Sequence, residues 1–346
     1  MIQKRILIVR QDRIGDVIVS TPIPREVKKK WPDAFVAVLV KNYSKDIFIN
    51  NPYVDEIIPI EDLEWEGIKE FFRSVKKIRR YKFTHAFMLL PTKKINYLLF
   101  FSGIRYRIGV GKKFFQFITF VKSVDRHKYN PLRHEADYSM DQARKIGINA
   151  KDISTEIHLS DAEKDDVEKI KLGWSAGSKH VIGLNISSGN SAPNLIGSDY
   201  LNLINKLRRN KNYKIVITDN NIPPKLKNLE GVEYPNISSS LRNSIINFAS
   251  LDCLISSSTG PMHIAAALGV KTISMFCNLT ACSPKLWGPL GNPHKIIQPQ
   301  KNYCGQICPG DPHICTFSGQ FEFLAENIIQ SLNEFFSPVK HSLAVK

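Results

Sequence analysis

The sequence predicts an α/β protein of two similar Rossmann-like lobes whose parallel sheets face a central cleft. Three observations lead there. Cys253-Leu254-Ile255 reads as a buried strand, and the Ser/Thr/Gly turn Ser256–Gly260 follows. The small apolar run Ile264–Leu268 then makes a helix that Gly269 ends, before a second strand, Thr272–Phe276. The start of the chain repeats the construction: strand Arg5–Arg10, turn Gln11–Asp16, and a helical stretch from Val17 to Lys30 interrupted by Pro22 and Pro24. Between them strands and helices alternate, which implies parallel sheets covered on both faces.

The remaining elements follow from periodicity. Strands are expected over Ala34–Val40, within Tyr53–Ile60, and over Thr84–Leu90 and Tyr106–Val110. Glu64–Arg80 carries Trp65, Ile68, Phe71, Phe72, Val75 and Ile78 at helical spacing, and Glu135–Ile146 is a second helix closed by Gly147. Asp161–Lys171 forms a helix leading to the Gly/Ser-rich boundary at residues 173–179. The second lobe has strands at His180–Ile186 and Lys214–Thr218 and helices near Ser198–Arg209, Leu241–Ser250 and Phe321–Phe336. Domains are set at 1–172 and 180–336, and Ser337–Lys346 is expected to fray.

Composition narrows the class. The chain has 346 residues, 43% hydrophobic and 23% charged, which suits a soluble globular protein with two cores. No uninterrupted apolar run of spanning length and no signal segment occur, so a cytoplasmic protein is expected. The six cysteines, all in the second half, are then thiols. Cys304, Cys308 and Cys315, with His313, are close enough in sequence to raise a metal site. The C-x3-C-x6-C spacing is not a zinc pattern, and a compact cysteine-bearing loop is the preferred reading.

The net charge of +16 calls for an anionic partner. Lys69–Lys82 is one basic run, and Arg105, Arg107, Lys112 and Lys113 lie among phenylalanines and tyrosines. Basic charge mixed with aromatics fits an anionic membrane or lipid. Nucleic acid is a weaker reading, because no recognised motif accompanies the charge. A solvated basic face accounts for part of it.

A strand, tight turn and helix start aim several unpaired N–H groups in one direction, a site for phosphate. In the second turn Gly260 admits close backbone approach, Ser258 and Thr259 offer hydroxyls, and Met262 and His263 offer N–H groups. His263 adds a hydrogen bond or charge. In the first turn, Asp16 serves either as a general base or as a helix N-cap. No Asp-x-Asp pair and no G-x-G-x-x-G follows a strand, so neither a divalent metal nor a dinucleotide cofactor is expected.

These residues resemble glycosyltransferase family 9, the heptosyltransferases. The resemblance runs through Ile6–Val9 and Gly15-Asp16 with Pro22, Gly103–Gly109, His134–Asp137, and above all Ser258–His263 with Trp287-Gly288-Pro289-Leu290-Gly291. It implies a GT-B fold and inverting transfer of heptose from ADP-heptose to the inner core of lipopolysaccharide. It also implies that Asp16 is catalytic and that the second lobe, with Ser187, Ser188 and the Ser258–His263 turn, holds the donor. The first lobe then meets the anionic glycolipid through Lys93, Lys94, Arg105 and Arg107, in peripheral contact with the inner face of the membrane and without insertion.

Two departures stand out. Ser258 replaces the family's usual Asp, and Asn194 stands where a donor-phosphate cation is usual. Either another residue such as Lys285 compensates, or the donor differs, or activity is weak, and Asn194→Lys is expected to tighten donor binding. The acidic residue usual near the nucleoside has no clear equivalent in Thr218–Asn221. A non-catalytic sugar-nucleotide or glycolipid binding protein of the same fold is the alternative.

Overall fold

The computed structural model describes residues 3–337 except 64 and 176, so most of the expected frayed tail lies outside the described residues. The first half contributes β1 (Arg5–Val9), β2 (Phe35–Val40), β3 (Glu56–Pro59), β4 (His85–Met88), β5 (Tyr106–Val110) and β6 (Lys122–Val124). The second contributes β7 (His180–Leu184), β8 (Tyr213–Ile217), β9 (Val232–Glu233), β10 (Cys253–Ser257), β11 (Lys271–Met275) and β12 (His294–Ile297). The strands form two sheets, ordered β3-β2-β1-β4-β5-β6 and β12-β11-β10-β7-β8-β9. All ladders are parallel, with β1 between β2 and β4 and β10 between β7 and β11. Chain direction across each sheet reverses once, beside β1 and beside β7. Ligands of such sheets sit at the carboxyl ends of strands at that reversal. Two Rossmann-like sheets facing one cleft are the GT-B arrangement expected from the resemblance.

Local chemistry explains where boundaries moved. The stretch 17–30 is two helices, Ile14–Ile18 and Pro22–Lys30, because Pro22 has no N–H to bond the Ile18 carbonyl, which accepts from Thr21 instead. The helix expected from Glu64 starts at Ile68. Gly67, at φ +86°, turns the chain there, and Trp65 instead donates its indole N–H to the Ile60 carbonyl. Asp161–Ser175 carries its helix into the expected linker, where Trp174 packs on the core.

The two halves share a seam. One buried cluster joins Val17, Ile18 and Ile23 of the first half to Ile245, Phe248, Ile264 and Ala265 of the second. Helix Ile14–Ile18 packs on helix Gly260–Ala267 so closely that a Cβ at Gly15 would lie 2.9 Å from His263 Cδ2. Polar ties reinforce the seam. Ile157 N–H donates to Ala267 O at 3.0 Å, and Thr155 Oγ1 donates to Leu290 O at 3.0 Å. Arg242 donates to both oxygens of Glu163, at 2.6 and 2.7 Å, and to Asp46 O at 3.1 Å.

Candidate functional site

The turn after β1 and the turn after β10 meet across the cleft. Asp16 is the third residue of helix Ile14–Ile18, whose N-cap is Arg13, so the N-cap reading of Asp16 does not hold. Beneath it lies a buried ion network. Arg10, 3% exposed, places Nη2 2.6 Å from Asp16 Oδ1, Nε 2.7 Å from Asp12 Oδ1 and Nη2 3.7 Å from Glu135 Oε1. Burial pulls the Arg10 pKa down, but the three carboxylates outweigh it and the net shift is upward. Burial raises Asp12 and Glu135 against the pull of their arginines. Arg126 closes the base of the network with two bonds to Glu135, at 3.0 and 2.8 Å. Arg10 thus holds one oxygen of Asp16, and Oδ2 has no protein partner among the described residues.

The His134–Asp137 segment supports this network. His134 Nδ1 accepts from Ala136 N–H, so Nε2 carries the proton and donates to Gly288 O at 2.9 Å. Burial lowers the His134 pKa and keeps this neutral form. The ring ties the first lobe to the Trp287–Gly291 segment. Gly288 admits no side chain, since a Cβ there would lie 2.5 Å from Pro284 O.

Three cavities join into one groove. The first, about 240 Å³, holds Asp16, Arg13, Ser258, Thr259, Gly260 and His263, with Trp287 as a wall. The second shares Arg13, Gly15, Thr259 and Gly260 with it and runs along Ser187–Ser191. The third, about 600 Å³, is lined by apolar Leu241, Phe248 and Ile264 and by polar Asp219, Ser244 and Lys45. The three sections run in one line from Asp16 to Asp219.

The middle section is built for an anion. Gly260 and Met262 lead helix Gly260–Ala267, and their N–H groups have no partner among the described residues. Gly189 and Asn190, at φ +53° and +55°, curl the opposite loop so that N–H groups of residues 188–190 are also free. Met262 itself is fully buried and lines none of the three cavities, so of Gly260 and Met262 it is Gly260 that stands at the groove.

Several expected roles change. Ser187 gives both its N–H (2.9 Å) and its hydroxyl to Asp219, leaving no donor for a ligand. Asp219, unread in the sequence, also accepts from Ile186 N–H at 2.7 Å and so fixes the loop. His263 is 5% exposed and burial lowers its pKa to about 3, so it adds no positive charge. Lys285 is exposed and lines none of these cavities. Asn194 donates to Ile186 O at 2.8 Å and accepts from Tyr200 at 2.6 Å and Ser257 at 2.8 Å. Lysine there would break this knot, which withdraws the expected gain from Asn194→Lys. Arg107 is 6% exposed, donates to Ile104 and Thr119 carbonyls, and lies 5.1 Å from the Phe100 ring centroid. It braces the lobe and is not a surface contact, whereas Lys93, Lys94 and Arg105 are exposed.

A cation does line the groove, from the other lobe. Arg13 is exposed, has no ion pair among the described residues, and lines both the Asp16 cavity and the anion section. No sequence signal marked it, because its role depends on the lobe opposite. Among the described residues no group of three or more potential ligands could hold a metal. The six cysteines are free, Cys315 pairs with the Tyr303 hydroxyl at 3.4 Å, and His313 Nδ1 turns to Asn190 O.

Asp219 gives the groove a pH dependence. Burial raises its pKa to about 6 against the lowering pull of its three donors. Because the carboxyl binds a proton more readily in the clamp than in solvent, a fall in pH through that value favours the closed loop and removes a negative charge from the groove. Affinity for a nucleotide sugar, whose diesterified diphosphate does not titrate here, is expected to rise as pH drops from about 7 to about 5. Calorimetry across that range is the check. Asp219→Asn should flatten the profile, and a flat wild-type profile would dismiss the clamp.

The sequence profile of glycosyltransferase family 9 (heptosyltransferase) matches residues 71–307. A Haemophilus influenzae protein described only as a glycosyltransferase is 26% identical over 313 residues, 85% of this chain and 88% of its own length. Lipopolysaccharide heptosyltransferase 2 of Salmonella typhimurium is 21% identical, covering 96% and 99%. The structure of Escherichia coli ADP-heptose lps heptosyltransferase II superposes with a TM-score of 0.72 at 17% identity, covering 96% of this chain and 98% of that one.

Proposed function

Because the chain belongs to glycosyltransferase family 9 and is a heptosyltransferase-like glycosyltransferase, we propose that it moves a heptose from ADP-heptose onto a lipopolysaccharide inner-core-type acceptor, with inversion. The observation that carries this reading is the continuous groove from Asp16 through the paired N–H nests to Asp219. The likeness to lipopolysaccharide heptosyltransferase 2 and to ADP-heptose lps heptosyltransferase II supports the choice of donor and acceptor.

Asp16 Oδ2 takes the proton of the acceptor hydroxyl as that oxygen attacks the anomeric carbon. Arg10 fixes the carboxylate in place by holding Oδ1. The bond to the diphosphate oxygen breaks, and the negative charge left there meets the free N–H groups of Gly260, Ser188 and Gly189, the Ser258 hydroxyl and the Arg13 guanidinium. Neutral His263 packs against Gly15 and edge-on to Trp287, keeping the wall of the sugar section closed. The second lobe holds the donor, the first lobe the acceptor. The reaction takes place in the cytoplasm, at the inner face of the membrane holding the acceptor.

Titration of ADP-, UDP-, GDP- and CDP-sugars by calorimetry, followed by turnover with a core-type acceptor, tests this. ADP-heptose is expected to bind most tightly and to release ADP only when acceptor is present. Preference for another nucleotide would replace the donor, and saturable binding without transfer would move the reading to a binding protein of the same fold.

A further inference from the structure

Thirteen of the sixteen net positive charges lie in residues 71–124, where not one Asp or Glu occurs. The same stretch exposes three large rings: Phe114, Phe117 and Phe120 are 78%, 79% and 81% exposed, with Ile118 beside them. Singly exposed apolar residues are ordinary, but a cluster ringed by one sign of charge marks a contact surface.

The rings stand on a braced tip. Helix Phe114–Ile118 follows β5, and buried groups hold its underside. Asn96 donates to Phe115 O at 3.1 Å and to Thr119 Oγ1 at 2.8 Å, and Gln116 Oε1 accepts from Lys113 N–H at 2.9 Å. Arg107 donates to Thr119 O from within. The outward direction of the phenyl groups is therefore built in by the same contacts that withdrew Arg107 from the surface. Lys112 and Lys113 precede the helix, Lys122 follows it, Lys93 and Lys94 start helix Lys93–Phe101 and Arg105 precedes β5, all of them exposed.

The tip also sits on the functional rim. The turn bearing Asp16, helix Lys93–Phe101 and helix Phe114–Ile118 leave the carboxyl ends of β1, β4 and β5, which form one edge of a parallel sheet. Gln11 Nε2 reaches Thr92 Oγ1 at 3.2 Å, and Lys113 Nζ reaches Pro91 O at 3.1 Å, so the three turns are tied together.

We propose that this face docks on an anionic phospholipid bilayer, with the rings of Phe114, Phe117 and Phe120 seated among the headgroups and the lysines and arginines on lipid phosphates. The contact is a shallow insertion, in place of the insertion-free contact expected from sequence. A second copy of the chain is disfavoured by like charge. Nucleic acid is disfavoured by Ile118, an aliphatic side chain on which bases do not stack. Docking presents the mouth of the groove to molecules anchored in the same membrane.

Each basic residue near an anionic surface raises partitioning about fivefold, and a ring leaving water contributes a similar factor. Flotation with phosphatidylcholine vesicles, with and without phosphatidylglycerol, at low and high salt, is the experiment. The wild type is expected to float with the anionic vesicles alone and to be released by salt. Phe114→Ser/Phe117→Ser/Phe120→Ser should lower partitioning by about 100-fold. The indole introduced by Phe117→Trp should be quenched by brominated phosphatidylglycerol beyond the wild-type level, a readout that does not depend on the triple variant folding. No flotation of the wild type, equal flotation of the triple variant, or no added quenching would overturn the proposal. So would a wild-type dimer that the triple variant dissolves. The vesicles contain neither donor nor acceptor, so these results stand apart from those on glycosyl transfer.

Discussion

Asp16→Asn is expected to lower kcat by at least about 10²-fold and leave the nucleotide-sugar Kd nearly unchanged. The amide keeps the shape of the carboxylate and one acceptor for Arg10, so the network beneath survives in part. What it loses is the ability to accept a proton at Oδ2. The groove section proposed for the donor is lined by backbone N–H groups and Arg13, which the change does not touch. Steady-state turnover beside calorimetry separates the two effects. Turnover within a few-fold of wild type would remove Asp16 from the chemistry. A parallel loss of affinity would assign it to donor binding. The network makes a second comparison informative. Arg10 is buried among three carboxylates, so removing it leaves them uncompensated and should cost stability as well as rate.

Arg13→Ala is expected to weaken nucleotide-sugar binding by about 10- to 100-fold, the range of one or two charge-assisted hydrogen bonds. Arg13 is exposed and makes no ion pair among the described residues, so the thermal unfolding of this variant should match wild type. The diagnostic is the diphosphate increment. Wild type should bind ADP more tightly than adenosine by a margin that Arg13→Ala largely erases and Arg13→Lys partly restores. If wild type binds ADP and the margin survives Arg13→Ala, another group neutralises the phosphates. If wild type binds no nucleoside diphosphate at all, the donor site itself is wrong.

The framework was legible where burial leaves a plain mark. β1, β7 and β10 are central strands, and their apolar runs gave their places within a residue or two. Helix Lys93–Phe101 went unread because Ile95–Phe101 is apolar nearly throughout and shows no period. The edge strands β6, β9 and β12, four residues or fewer, carry too little pattern to see. The site divides the same way. Ser258, Thr259 and Gly260 sit on a local turn, and the residues carry their own signal. Arg107, Ser187 and Asn194 were misread because residue type was taken for role. Arg107 lies on β5 facing inward, Ser187 is claimed by Asp219, and Asn194 by Tyr200 and Ser257. Apart from Ile104, a partner of Arg107, each partner is more than five residues away in sequence, and for two of the three it is decided by the folded sheet. Arg13 is the converse: an ordinary turn arginine until the second lobe sets a phosphate-shaped loop across from it.

The seam between the halves has a consequence for how such chains diversify. Gly15 has room only because it faces the flat edge of His263, and Gly288 is fixed by Pro284 while its carbonyl serves His134. Neither lobe owns its half of these fits. Recombination that joins the first lobe of one relative to the second lobe of another must therefore inherit matched pairs, residue by residue, along the whole of that buried face. New acceptors and new donors are more readily reached by changing the rim loops of one intact chain than by shuffling its halves.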